Sequence, residues 1–139
     1  MPQPPTPVSA RLRVLIADDH QGVREEITKL LDAHFEVVGA VADGRKLVAA
    51  AIALKPDVIV SDVRMPDLSG PEAMTHLRTR RCDVPFVLVS LDVSSTKRWI
   101  EQGAAAFVHK DDMSGDLVPA IHSAANGRIY LSRRARSPS

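Results

Sequence analysis

Hydrophobic and polar positions follow two patterns that alternate along the chain. Short apolar runs ending at polar residues recur five times, and stretches with apolar residues at helical spacing separate them. A continuous Val/Ile-rich run is typical of a strand buried on both faces of a parallel sheet, whereas i, i+4, i+7 spacing indicates a helix with one buried face. The pattern predicts strands over residues 13–17, 35–41, 58–62, 85–90 and 104–108.

Helices are predicted between these strands and after the last one. Val23, Ile27, Leu30 and Leu31 form the apolar stripe of the first helix, and Pro71 suits the first turn of the third. The last helix contains Pro119, so we expect it to begin late, with Asp116 as N-cap, because a proline costs little in a first turn. Alternating strands and helices predict an α/β fold: a single doubly wound, five-stranded parallel sheet with right-handed crossovers.

The ends and the composition complete this picture. We expect a disordered Pro-rich arm over residues 1–10, one domain over 11–131 and a flexible basic tail over 132–139. A hydrophobic content of 45% and a charged content of 25% are ordinary for a soluble protein, and the net charge of +1 argues neither for nor against nucleic acid. The lone Cys82 excludes an internal disulfide, and no apolar run is long enough to span a membrane. A cytoplasmic location is expected, with no membrane partner.

Polar side chains follow four of the predicted strands. Asp18 and Asp19 come after the first, Asp62 ends the third, Ser90 ends the fourth and Lys110 follows the fifth. Because parallel strands place their carboxyl ends at one edge of the sheet, where such folds bind ligands, we expect these groups to converge.

These groups have a recognisable chemistry. Clustered carboxylates repel one another unless a cation lies between them, and Mg²⁺ prefers carboxylate oxygens together with a phosphate. The lysine adds a positive charge and the serine a hydroxyl donor. The set therefore predicts a phosphoryl-handling site with a carboxylate nucleophile.

The same residues resemble a known family, the CheY-like receiver domain of two-component response regulators, over roughly residues 12–130. The resemblance is carried by Asp18-Asp19-His20, by Asp62-x-x-Met65-Pro66-x-x-x-Gly70, by Ser90 and by Phe107-Val108-His109-Lys110. Asp-Asp-His and the stretch from Asn126 to Ser132 further resemble the NarL/FixJ subfamily, whose members carry a C-terminal LuxR-type helix-turn-helix. The resemblance implies the flavodoxin-like (βα)5 fold.

For the chemistry, the resemblance implies that Asp62 accepts a phosphoryl group from the phosphohistidine of a sensor histidine kinase. It implies that Mg²⁺ is held by Asp19 and Asp62 directly, by Asp18 through water and by the main-chain carbonyl of Arg64. An aspartyl phosphate would bring roughly −2 charge to the end of a strand. The protein would then act as a phosphorylation-controlled switch and not as a metabolic enzyme.

For the output, the resemblance implies that Lys110 pairs with Asp62 and then with the phosphoryl oxygens. Ser90 would move inward to bind the phosphoryl group, and Phe107 would follow as the aromatic switch. A homodimer is a possible assembly. Binding to DNA would require a helix-turn-helix domain that the 139 residues do not contain. The chain is expected to be either part of a longer transcription regulator or a stand-alone receiver.

Two departures from the family pattern keep alternatives open. Leu91 follows Ser90 where a small residue is typical, and the segment between Ser90 and Gly103 is about two residues short. A degenerate receiver that acts through protein–protein contacts without phosphorylation is therefore an alternative. A Mg²⁺-dependent phosphatase with an aspartate nucleophile is a further one, although Arg64 stands where such enzymes commonly keep a second acid.

Overall fold

The computed structural model describes residues 11–136 of the chain, so the predicted Pro-rich arm, residues 1–10, lies outside the described residues. Within them, no helix is of a length and apolarity that would let it cross a lipid bilayer. Strands and helices alternate along the chain, in the order β1 Arg13–Ala17, α1 Gln21–Asp32, β2 Glu36–Val41, α2 Gly44–Leu54, β3 Val58–Asp62, α3 Gly70–Thr79, β4 Phe86–Ser90, α4 Thr96–Glu101, β5 Ala106–His109, α5 Met113–Ala125, β6 Tyr130–Leu131 and α6 Arg133–Arg136.

The strands form a single parallel sheet in the order β2-β1-β3-β4-β5-β6. The predicted fold class is confirmed, with one difference in strand number. The two-residue strand β6 extends the sheet beyond β5, and the sequence did not predict it because two residues carry no periodic signal.

The side chains of each central strand alternate between two apolar cores. On one face, Val58 and Val60 of β3 lie in the same cluster as Ile27 of α1 and Leu117 of α5. On the other face, residue Ile59 belongs to a cluster that includes apolar side chains of α2, α3 and α4. Every residue of β3 and β4 is buried, which is why these strands read as continuous apolar runs.

The start of α3 is fixed by a capping box that lies just after the predicted site loop. The Ser69 hydroxyl accepts from the Glu72 N–H at 3.1 Å, and the Glu72 carboxylate accepts from the Ser69 N–H at 2.9 Å. Two otherwise unpaired donors of the first turn are satisfied in this way. A Cβ added to Gly70 would lie 2.4 Å from the carbonyl oxygen of Asp62, so the helix approaches the strand end as closely as only glycine permits.

The last long helix starts one turn earlier than the sequence predicted. Helix α5 begins at Met113, directly after a 3-10 turn over Lys110–Asp112, and it contains Pro119 in its interior. The prediction of Asp116 as N-cap is wrong because the buried stripe of the helix extends back to Met113, which lies one turn before Leu117 in the same cluster. Burial of the Met113 side chain offsets part of the free energy that is lost because Pro119 cannot donate a backbone hydrogen bond.

The predicted flexible tail also differs from the structure over its first five residues. Ser132 is fully buried, and residues Arg133–Arg136 form the short helix α6, with Ala135 buried against the body of the domain. The sequence signal was misleading because three of these four residues are arginines, which on their own indicate a solvated segment. Residues 137–139 lie outside the described residues.

Candidate functional site

The carboxyl ends of β1, β3, β4 and β5 bring the predicted polar groups to one cleft. Asp62 and Ser90 are the last residues of their strands, and both are buried. Asp19, Asp62, Ser90 and Lys110 line a cleft of about 260 Å³. Asp18 lies beneath it with only 1% of its side chain exposed. Asp18 and Lys110, which are 92 positions apart in the sequence, therefore meet at the carboxyl edge of the sheet.

A single ammonium group lies between two buried carboxylates. Lys110 Nζ lies 3.1 Å from Asp62 Oδ2, to which it donates a hydrogen bond, and 3.3 Å from Asp18 Oδ2. Burial alone would lower the pKa of Lys110, but the hydrogen bond and charge of Asp62, together with the charge of Asp18, outweigh it and hold this pKa above its ordinary value of 10.5. The lysine is therefore charged at neutral pH.

The Asp62 carboxyl group experiences opposing influences. Burial raises its pKa, Lys110 lowers it, the negative charge of Asp18 raises it and the Arg64 N–H, which donates to Asp62 Oδ1 at 3.3 Å, lowers it. The sum is a pKa above the ordinary 3.8, because burial and a neighbouring carboxylate together exceed the help from one lysine. Burial and the Asp18 carboxylate thus make the ionised form of Asp62 less favourable, and a cation bound beside it would relieve this cost.

The acidic cluster fits a divalent cation. Ligand atoms of Asp18, Asp19, His20 and Asp62 all lie within 4.8 Å of one another. Asp18 Oδ2 is buried and accepts no hydrogen bond, although Lys110 Nζ lies 3.3 Å away. Oxygen donors of this kind are those that Mg²⁺ prefers. The residues present therefore fit the predicted metal.

The mouth of the cleft is formed by the loops after β3 and β4. The Asp92 N–H donates to Ser90 Oγ at 3.0 Å, which leaves the hydroxyl hydrogen of Ser90 free to turn towards the cleft. Arg64 and Asp92 face each other at 3.9 Å as an exposed ion pair. Leu91 lines the cleft with 65% of its surface exposed, so an apolar side chain stands beside Asp62.

Phe107 lies outside the cleft. It is fully buried on β5 and belongs to the same apolar cluster as Leu131, Ala135 and Trp99. Phe107 is therefore a core residue beside the C-terminal segment, where it pairs with Leu131, and it does not line the cleft.

Two further residues belong to the site. His20 entered the sequence argument only as part of the Asp18-Asp19-His20 motif, and its Nδ1 lies 3.1 Å from Asp19 Oδ1 and 3.4 Å from Asp18 Oδ1. Asp92 lines the cleft, and the sequence did not indicate it because a single acid in a loop is common.

Comparisons with known proteins agree with this geometry. A family model described as the response regulator receiver domain matches residues 14–122. A nitrate/nitrite response regulator homologue of Haemophilus influenzae is 32% identical over 126 residues, which covers 88% of this chain and 61% of that protein. The transcriptional regulatory protein LiaR of Bacillus subtilis is 32% identical over 127 residues, 88% of this chain and 60% of the relative. The chain thus spans about three fifths of the length of these relatives.

Solved structures give the same result. A LuxR-family two-component response regulator from Aurantimonas sp. SI85-9A1 superposes with a TM-score of 0.85 at 26% identity, covering 91% of this chain and 94% of that one. The signal receiver domain of the response regulator NarL from Mycobacterium tuberculosis gives a TM-score of 0.80 at 30% identity, covering 85% and 98%. The chain therefore belongs to the response regulator receiver domain family, and its relatives are NarL/LuxR-type response regulators.

Proposed function

We propose that this chain is a switch that is phosphorylated on Asp62 by a sensor histidine kinase. The observation that carries the proposal is the position of the Asp62 carboxylate at the end of β3, in an open cleft, where it accepts a hydrogen bond from the Lys110 ammonium that also pairs with Asp18. A carboxylate oxygen of Asp62 attacks phosphorus, the bond from phosphorus to the imidazole nitrogen of the donor breaks, and the electron pair returns to the imidazole.

The chain's own residues prepare this transfer. Lys110 orients the Asp62 carboxylate before transfer, and its charge stabilises the phosphoryl oxygens afterwards. Ser90, whose hydroxyl hydrogen is free, turns to donate to one of those oxygens. The Arg64 N–H holds the second carboxylate oxygen of Asp62 in place.

Mg²⁺ is the metal that the site would hold, through Asp18, Asp19, Asp62 and the main-chain carbonyl of Arg64. When bound, it neutralises negative charge that the carboxylates and the phosphoryl group would otherwise concentrate in one place. The support for this assignment is the unsatisfied Oδ2 of Asp18 among acidic neighbours.

The consequence of phosphorylation is a change in binding partners, not turnover of a small substrate. Ser90 and Phe107 form the switch: Ser90 turns its hydroxyl towards the phosphoryl group, and Phe107, the buried residue opposite Leu88, changes its side-chain conformation in response. The phosphoryl group on Asp62, with roughly −2 charge, shifts the equilibrium between the two arrangements of Ser90 and Phe107. Relatives are named as transcriptional regulatory proteins, so control of transcription is the output we infer for the protein of which this receiver is a part.

The proposal is tested by incubating the chain with a small phosphodonor and Mg²⁺ and measuring the intact mass. We expect the mass of one phosphoryl group on the wild type and on Asp67→Asn, a matched change at an exposed acid of the same loop. We expect none on Asp62→Asn. An unmodified wild type would favour the alternative of a receiver that works without phosphorylation, and a modified Asp62→Asn would reject Asp62 as the acceptor.

A further inference from the structure

The last described residues, 130–136, lie along the outer edge of the sheet, and we call them the C-terminal strap. Strand β6 pairs in parallel with β5, with Leu131 opposite Phe107. The Ser132 N–H donates to the Phe107 carbonyl at 3.0 Å, and Ser132 Oγ accepts from the His109 N–H at 2.9 Å. Ser132 is fully buried, so these hydrogen bonds are shielded from water.

The helix of the strap is attached to the turn that follows β5. Arg134 donates to the Asp112 carboxylate with both its backbone N–H, at 2.9 Å, and its guanidinium group. Only 4% of the Asp112 side chain is exposed. Burial raises the pKa of this carboxyl, but hydrogen bonds from Arg134 and Ser132 together lower it below the ordinary 3.8, so it is ionised at neutral pH. Tyr130 adds a hydrogen bond from its hydroxyl to Asp116 Oδ1 at 2.5 Å.

Most of these anchors belong to the stretch of chain that carries the candidate switch. His109 directly precedes Lys110, and Asp112 is two residues beyond it. Phe107 is both a hydrogen-bond acceptor for the strap and a member of the apolar cluster that holds Leu131 and Ala135. A displacement of Lys110 or Phe107 therefore changes the surface to which the strap is attached.

The strap has little stability of its own. A strand of two residues and a helix of four are too short to persist without tertiary contacts. Its attachment rests on the contacts described above, while Arg133 and Arg136 are exposed. Segments of this kind open locally at a small fraction of the free energy of global unfolding, which makes them suitable as switch elements.

We propose that the strap carries the signal out of the domain: phosphorylation of Asp62 releases residues 130–136 from the edge of β5. This inference rests on the proposed phosphorylation. The phosphoryl group recruits Lys110 and Ser90, Phe107 follows Ser90 towards β4, and the strap loses the packing of Leu131 and Ala135 on Phe107.

Release of the strap can be measured by limited proteolysis, because trypsin cleaves after Arg133, Arg134 and Arg136. We expect the rate of cleavage at these sites to rise about tenfold when the phosphorylated chain is compared with the unmodified chain, since buried charge-assisted hydrogen bonds are lost. Cleavage after Arg128, exposed and outside the strap, is the internal control and should change little. In the Asp62→Asn variant treated with phosphodonor and Mg²⁺, trypsin should cleave the strap at the rate measured for the unmodified wild type.

A second variant tests the attachment without phosphorylation. Asp112→Asn removes the acceptor charge under Arg134 and should speed cleavage in the strap to a similar degree, while cleavage at Arg45 in α2 reports whether the whole domain has unfolded. Hydrogen exchange at the Ser132 amide should likewise be faster in the phosphorylated chain and in Asp112→Asn than in the unmodified chain. If intact mass shows phosphorylation and strap cleavage is unchanged, the inference is overturned and the proposed function stands. If no phosphorylation occurs, both fail; if Asp112→Asn leaves cleavage unchanged, the anchoring role of Asp112 is rejected.

Discussion

Lys110 Nζ lies within 3.3 Å of carboxylate oxygens from both Asp18 and Asp62. One positive charge therefore serves two buried acids, and with Asp19 nearby the cluster is short of cations. This imbalance is unfavourable to the stability of the metal-free domain, but it gives the cleft its capacity to attract a divalent ion and a phosphoryl group.

Asp62→Asn should stabilise the domain at neutral pH in the presence of a chelator, by roughly 1 kcal/mol, the scale of a typical single substitution. The pKa of Asp62 is raised in the folded state, so wild-type stability falls as the pH rises from the ordinary 3.8 through that raised pKa. The advantage of the variant should appear across this window and vanish below it. Chemical denaturation at several pH values measures it, and a constant difference at every pH would contradict the explanation.

Mg²⁺ should raise the melting temperature, because an ion that binds only the folded state stabilises it by about 2.7 kcal/mol at a hundred times its dissociation constant. Asp19→Asn should abolish most of this gain, whereas Asp67→Asn should retain it. Thermal unfolding with Mg²⁺ and with a chelator provides the comparison. An equal gain in both variants would show that the ion binds elsewhere.

Leu91→Ala should shorten the lifetime of the phosphorylated state severalfold. Leu91 lines the cleft with 65% of its surface exposed. We expect this apolar side chain to hinder the approach of water to a phosphoryl group on Asp62. Loss of the phosphoryl mass with time measures the effect. Ile129→Ala, an exposed apolar residue that is not part of the cleft lining, is the matched control and should leave the lifetime unchanged.

Gly103→Ala should destabilise the domain by about 1–3 kcal/mol. Gly103 has a φ of 110°, and a Cβ there would meet Arg78 Nη1 at 1.9 Å. Arg78 uses its guanidinium group to bind the carbonyls of Gln102 and Gly103, so the substitution would also displace this link between α3 and the end of α4. Gly22→Ala in α1, where a Cβ meets nothing within 4 Å, should instead stabilise by about 0.4–1 kcal/mol. Urea unfolding distinguishes the two.

Gly70→Ala should slow phosphorylation as well as lower stability. The added Cβ would lie 2.4 Å from the Asp62 carbonyl oxygen and 2.8 Å from Ser61 Oγ, so the end of β3 must move and carry the acceptor with it. Gly103→Ala is the matched control, because it lowers stability at the opposite, amino-terminal end of β5. The rate of phosphorylation by a small phosphodonor should fall in Gly70→Ala and remain unchanged in Gly103→Ala.

The sequence by itself determined the frame of the domain. The strands β1 to β5 were predicted within two residues at each end. The central strands β3 and β4 were the clearest, because strands buried on both faces appear as unbroken apolar runs whatever their neighbours are. The convergence of Asp18, Asp62, Ser90 and Lys110 also followed from the sequence, because parallel strands share one carboxyl edge.

Only the tertiary structure decided the details that depend on contacts between distant residues. Helix α5 begins at Met113 because that side chain finds a place in a core built by β strands far away in sequence. The arginine-rich segment after Leu131 is ordered because Asp112 and the edge of β5 supply its partners. Local propensity reports what a residue prefers in isolation, whereas burial and ion pairing depend on what the fold places beside it.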